Sequence, residues 1–306
     1  MRRLLCLAVA LLLFIPSPAV SAGHSTDNDA ITGGGIFGGG KISANASGAI
    51  EIPFSDLPGL AEDFTATWCD NCVYVEHALH NVSQDTGTEV LYFHRNNDIE
   101  DPFGSDSGDS WWQRRYGSGI PPTVVFNGDD LRAGSLPGEQ SLDDEFTAKV
   151  VRDFDLGNGD SQFIWALENN NTTGAFVWSL QYDSTHATFA EAAGIQSWLF
   201  VLEDSSYFPD GGNGLEDYPN VVLDVIDLGT ESEGLYNLIL PSAYDGDDIT
   251  LMLIHELIPL PPSTDNDTAQ SEGSSEDSGF LPSITLMAAL SVVAMAAIYR
   301  PSRSEP

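Results

Sequence analysis

The chain has 306 residues, enough for two ordinary domains, and its 42% hydrophobic content can supply a core for each. Its net charge is −35, from 46 acidic against 11 basic residues, and only Lys41 and Lys149 are lysines. A surface of that sign repels phosphate backbones and anionic headgroups, which excludes nucleic acid as a partner, and it suits a saline medium that screens self-repulsion.

Residues 1–22 carry Arg2 and Arg3, an apolar run over 4–15 and then Ala19-Val20-Ser21-Ala22. That is the layout of a secretory signal peptide cleaved after Ala22. An uncleaved N-terminal anchor is the alternative, for which the apolar run is short. Residues 23–48, with Gly33-Gly34-Gly35 and Gly38-Gly39-Gly40, read as a Gly-rich linker with no phosphate-loop pattern.

Residues 49–155 alternate strand and helix signals. Residues 62–66 predict a strand running into Thr67-Trp68-Cys69. Val75, Leu79 and Val82 are spaced for a helix from Cys72, and residues 89–94 and 122–126 predict two more strands, the last closed by Asn127-Gly128. The order is that of an α/β domain. Over 160–260 the strand-like runs 163–167, 175–182, 198–202, 221–226, 235–240 and 249–257 alternate with turn-rich pieces, which predicts a β-sandwich. Residues 261–279 form an acidic, Ser-rich stalk. Residues 280–299 hold no charge over twenty positions, long enough to cross a bilayer, and 300–306 are a short tail with Arg300 and Arg303. Signal, ectodomain, stalk, span and basic cytoplasmic tail make a membrane-anchored protein exposed outside the cytoplasm.

Cys6 lies in the signal segment, so the mature chain holds only Cys69 and Cys72. A bridge across two residues constrains the unfolded chain very little, so a purely structural disulfide is a poor explanation. Redox chemistry is one reading. The other is half of a zinc or copper site, completed by His77, His80 or His94. For redox chemistry, Cys69 just ahead of a helix is the nucleophile, because free backbone N–H groups stabilise its thiolate. Cys72, one turn inward, is the resolving thiol. Asp70 beside Cys69 disfavours the thiolate, which predicts a reducing or isomerising protein over a strong oxidant.

Asp63-Phe64-Thr65-Ala66-Thr67-Trp68-Cys69-Asp70-Asn71-Cys72 resembles the active-site segment of thioredoxins, and Ile120-Pro121-Pro122-Thr123-Val124-Val125-Phe126-Asn127-Gly128 resembles their cis-proline loop and following strand. The resemblance implies that Asp63 is a buried acid taking the proton from Cys72, the alternative being a surface carboxylate. It implies that Pro122 is a cis-proline facing the dithiol, that Pro121 contributes to the substrate backbone site without an N–H to offer, and that Trp68 packs beside the sulfurs. A longer gap between the two motifs implies an insertion near 101–116, where Trp111 and Trp112 pack a helix. His94 either rims the site or lies in a flanking loop. Leu202-Glu203-Asp204 and Tyr218-Pro219-Asn220-Val221-Val222 make the domain order similar to a bacterial outer-membrane family that joins a thioredoxin-like domain to a β-sandwich. Ser278-Gly279-Phe280 with the span after it resembles archaeosortase sorting signals, in which a lipid replaces the span.

The expectation is therefore an α/β thioredoxin-like domain followed by an all-β sandwich and a C-terminal transmembrane helix. Its activity would be that of a membrane-tethered thiol–disulfide oxidoreductase at the cell surface. It would act on thiols or disulfides of exported proteins, draw on an unidentified membrane electron donor and need no cofactor. The alternatives are a copper or other metal chaperone built on the two cysteines, and a non-catalytic surface binding module.

Overall fold

Local signals set the helices of the computed structural model, which describes residues 33–261. Helix α1 (Cys72–Thr86) buries Val75, Ala78, Leu79 and Val82 at helical spacing, and Gly87 ends it at φ 75° with its N–H on Ser83 O. Helices α2 (Asp106–Tyr116) and α3 (Leu142–Lys149) open on Ser105 and Ser141, whose hydroxyls accept the N–H groups of Gly108 and Asp144. A fourth, single-turn helix is α4 (Ala187–Ala190).

The strands are β1 (Ile36–Ser43), β2 (Gly48–Pro53), β3 (Leu60–Thr65), β4 (Glu89–His94), β5 (Thr123–Phe126), β6 (Asp130–Ala133), β7 (Gly159–Leu167), β8 (Thr173–Tyr182), β9 (Ala192–Tyr207), β10 (Asp217–Gly229), β11 (Glu233–Ile239) and β12 (Ile249–Pro259). They form two open sheets, one of eight strands in the order β1-β12-β9-β10-β4-β3-β5-β6 and one of four in the order β11-β8-β7-β2. Strand β3 runs parallel to β4 and antiparallel to β5, and β10 meets β4 in a short parallel pairing of Val221 with Tyr92.

The expected thioredoxin-like domain followed by a separate all-β sandwich and a transmembrane helix is corrected by this topology. The fold is mixed α/β, and one sheet takes strands from both halves of the chain. The physical reason lies in β9 and β12. Leu199, Phe200, Val201 and Leu202 of β9, and Leu251, Met252, Leu253 and Ile254 of β12, are all fully buried. Strands apolar on both faces need a cover on each. Leu199, Val201, Leu251 and Leu253 pack with Phe163, Trp165, Phe176 and Trp178 of the small sheet. Phe200, Leu202, Met252 and Ile254 pack on the other face with Trp111, Trp112 and Tyr116 of α2 and with Leu60, Phe64, Leu91 and Phe93 of β3 and β4. A third core holds α1 and α3 against the remaining face of β3, β4 and β5.

Polar groups tie the halves as well. Arg115 of α2 is fully buried, ion-paired with Glu256 of β12, and donates to the carbonyls of Gly34 and Gly128 at 2.7 and 3.0 Å. Glu62 of β3 accepts hydrogen bonds from Trp111 Nε1 and Tyr116 OH. His255 of β12 has one ring nitrogen 2.9 Å from Ser161 of β7 and the other 2.9 Å from Ser197 of β9, so it pins the small sheet to the large one. Burial pushes its pKa down to about 3, which keeps it neutral.

Residues 36–43, inside the stretch read as a linker, pair with β12 as an edge strand. Glycine is required there for close approach. A Cβ on Gly38, at φ 124°, would lie 2.5 Å from Leu253 O, and one on Gly40 would press Ile50 and Ile52 at 3.1 and 3.2 Å.

The membrane-tethered, cell-surface expectation is also corrected: among the described residues no helix is long and apolar enough to cross a membrane. The proposed signal over 1–22, the stalk over 261–279 beyond its first residue, the span over 280–299 and the tail over 300–306 lie outside the described residues. Neither the anchor nor the membrane electron donor enters the functional reading, which rests on the described residues.

Candidate functional site

The site is built where β3 hands the chain to α1. Cys69 and Cys72 form a disulfide with an S–S distance of 2.08 Å and Cα atoms 5.3 Å apart. Cys69 retains 7% exposure and Cys72 none, so an incoming sulfur can reach only Cys69. The turn before the helix is closed by Cys69 N–H donating to Ala66 O at 3.0 Å. Cys72 N–H donates to Cys69 Sγ at 3.2 Å. Helix α1 begins at Cys72, its Asn71 cap offers no side-chain hydrogen bond, and its first turn holds no acid. The positive end of the helix is thus left to the Cys69 sulfur.

Beneath α1 lies a buried polar patch. Alternation along β3 and β4 sends Ala61, Asp63 and Thr65, with Val90, Tyr92 and His94 opposite them, to the face covered by α1. Asp63 is fully buried, and neither of its oxygens has a hydrogen-bond partner. Burial, reinforced by the charge of Glu76, pushes its carboxyl well above the usual range. Tyr92, paired with Asp63 in register, is likewise pushed well up by burial and then by Asp63 and Glu76. Glu76 lies four residues after Cys72, on the same helix face, and accepts the Thr65 hydroxyl at 2.5 Å. Burial raises its pKa, against the opposing pull of Thr65, His94 and His77. His94 Nδ1 is 2.7 Å from Asp101 Oδ2, and the same carboxylate oxygen accepts the Thr67 N–H at 3.0 Å.

Pro121 and Pro122 are joined by a cis peptide bond. Thr123 pairs with Phe64, so the proline pair lies just beyond β5 at the end of the sheet where β3 delivers Cys69. Pro122 is buried and its carbonyl accepts the Gly134 N–H at 2.8 Å; Pro121 is half-buried. Trp68 is 41% exposed, and its Nε1 donates to Asp98 Oδ2 at 2.9 Å. Asp70 is exposed. His94 is buried within the sheet, neither rimming the site nor in a loop, and Trp111 and Trp112 are both buried on α2.

Two contributors escaped the sequence reading. Glu76 had a signal in its spacing from Cys72. The loop 208–216 between β9 and β10 had none, yet Asn213 N–H donates to Thr67 O at 3.0 Å, in the turn before Cys69.

The metal-chaperone alternative is corrected here. Cys69 and Cys72 are joined to each other, and the described residues bring no group of three or more His, Cys, Asp or Glu together as ligands. His77 and His80 are exposed on the outer side of α1.

No family model matches the chain, and no curated protein matches it. Among solved structures two chains match. One is a crystal structure of a protein from Agrobacterium tumefaciens, 14% identical, covering 70% of this chain and 97% of that one at a TM-score of 0.39. A likeness so slight carries no argument. The resemblance to thioredoxins and to the outer-membrane family is therefore withdrawn, the second also because both described sheets are open. The archaeosortase-type signal falls outside the described residues. Cys69 and Cys72, with a buried acid beneath the same helix, carry the functional case by themselves.

Proposed function

We propose that the chain is a thiol–disulfide oxidoreductase whose working pair is Cys69 and Cys72. The observation that carries the reading is the asymmetry of the pair: a slightly exposed Cys69 at a free helix N-terminus, backed by a fully buried Cys72. In the reduced protein the Cys69 thiolate attacks a substrate disulfide RS–SR′. A Cys69–SR bond forms, and R′S⁻ leaves and takes a proton. Cys72 then loses its proton, attacks Cys69 Sγ and expels RS⁻, so two electrons pass to the substrate and the Cys69–Cys72 disulfide closes. Each step is reversible, and the reverse begins with a substrate thiolate attacking Cys69.

Asp63 is assigned as the acceptor of the Cys72 proton. Its burial beneath α1 supports this, because a carboxyl with a raised pKa can take a proton from a thiol and return it. Pro121 and Pro122 bound the site from the β5 side, and Trp68 supplies an exposed apolar surface beside Cys69. Pro121 has no N–H, so the recognition of substrate backbone there rests on carbonyl acceptance.

The test is single-turnover reduction of a neutral disulfide, bis(2-hydroxyethyl) disulfide, by the prereduced protein, followed as one equivalent of thiol released per dithiol. The wild type should turn it over, Cys69→Ser should be inert, and Cys72→Ser should accumulate a mixed disulfide. Asp63→Asn should leave that capture step intact and slow release of the mixed disulfide by about a hundredfold. Absence of exchange by the reduced wild type would remove the proposal.

A further inference from the structure

We infer that Asn213 is a positioning residue for Cys69, which rests on the exchange reaction proposed for the dithiol and adds a part from the far half of the chain. Residues 66–71 lie outside any strand, and the peptide groups of Ala66 and Thr67 are taken up by two loops. On one side Thr67 N–H donates to Asp101 Oδ2 at 3.0 Å, and the Thr67 hydroxyl donates to Glu100 O at 2.9 Å. On the other side Asn213 grips two successive carbonyls: its N–H donates to Thr67 O at 3.0 Å and its Nδ2 to Ala66 O at 3.4 Å.

Ala66 O is also the acceptor of the Cys69 N–H. Asn213 therefore holds the carbonyl around which the Cys69 turn closes. The Asn213 side chain is itself oriented, because Oδ1 accepts from Tyr218 OH at 2.9 Å and from Leu215 N–H at 3.0 Å, which turns Nδ2 toward Ala66. A glycine lets the loop come this close. A Cβ on Gly211 would lie 2.3 Å from Tyr218 OH and 3.0 Å from Thr67 O.

The chemical consequence falls on the sulfur. Cys72 N–H reaches Cys69 Sγ at 3.2 Å only while the turn is held. In the reduced protein that N–H and the helix end stabilise the thiolate. A slack turn loses the alignment, raises the thiol pKa and slows attack at neutral pH.

Two variants test this, Asn213→Leu, which keeps side-chain size without donors or acceptors, and Tyr218→Phe, which removes one hydroxyl and keeps the ring on Phe103 and His94. In the Cys72→Ser background the pH profile of Cys69 alkylation by iodoacetamide should move up by about half a unit or more in each. With both cysteines present, the saturating rate of a single turnover of prereduced protein with bis(2-hydroxyethyl) disulfide at pH 7 should fall about fivefold with the half-saturating concentration unchanged, the scale of one lost hydrogen bond. Circular dichroism reports the fold, and if Asn213→Leu does not fold, Tyr218→Phe decides alone. Folded variants with the wild-type alkylation profile overturn the inference. A shifted profile in a protein whose wild type turns over no disulfide supports the positioning role while removing the proposed reaction.

Discussion

Asp63 is buried beneath α1 beside Glu76 and Tyr92, with both carboxylate oxygens unpartnered, and such a group is destabilising whenever it is charged. Its folded pKa lies above the unfolded value, so its favourable contribution is complete below about pH 4 and is lost as pH rises through the folded pKa. An Asp63→Asn variant cannot ionise. It should match the wild type near pH 4 and exceed it as pH rises, by up to about 1.4 kcal/mol per pH unit until Asp63 ionises in the folded state. Urea unfolding at pH 4, 6 and 8 measures the gap; a gap that does not widen with pH would show that Asp63 carries no such burden. A widening gap would mean that the residue holds a cost in stability in exchange for its place in proton transfer. Its position six residues before Cys69 was legible in the sequence. Glu76 was not singled out, because one acid in so acidic a chain reads as a solvated face until α1 turns it inward.

Among the elements, β3, α1, β4 and β5 were legible because hydrophobic period and turn residues agree there. The strand-like runs between 163 and 257 coincide with β7 to β12, although β9 extends well beyond its apolar centre at 198–202. Strand β1 was not legible, since the three glycines at 38–40 break any alternation and leave its β-branched residues, Ile36 and Ile42, at its two ends. Its glycines are a packing requirement that only the neighbouring β12 reveals. Gly38→Ala should therefore destabilise the protein by about 2 kcal/mol, through both the unfavourable φ and the clash with Leu253 O. Gly138, whose Cβ would meet nothing within 4 Å, is the control, and its alanine variant should melt with the wild type. Equal melting of the two variants would mean that β1 is only loosely held. The reach of the loop 208–216 to Thr67 was out of sight for a related reason: no local pattern encodes a contact between residues about 146 apart.

For the whole molecule, the sequence separates an α/β half from a β-rich half, a division the structure does not keep, since one sheet takes strands from both. Their fusion into one sheet could not be read, because a strand buried on both faces carries the same apolar run whether its second cover is a helix or another sheet. The shared sheet also gathers most of the net charge of −35 onto one body. Lowering the Debye length from about 10 Å at 0.1 M salt to about 3 Å at 1 M should relieve that repulsion. The melting temperature should rise by about 5 °C between those concentrations of KCl, equivalent to one or two kcal/mol. A flat or falling melting temperature would mean that the acidic surface is spaced widely enough to be harmless.

Strand β1 opens the described residues and β12 closes them, and the two are antiparallel neighbours, with Leu257 N–H on Gly35 O at 2.9 Å. Positions 33 and 261 therefore leave the sheet at the same corner. A circular permutant with a short peptide joining those positions, reopened in the exposed turn between β7 and β8 at Asn170, would keep every strand pairing of both sheets. In such a chain the dithiol, its buried acid and the Asn213 loop would still converge, because their meeting depends on the sheet they share and not on the order in which the ribbon is threaded.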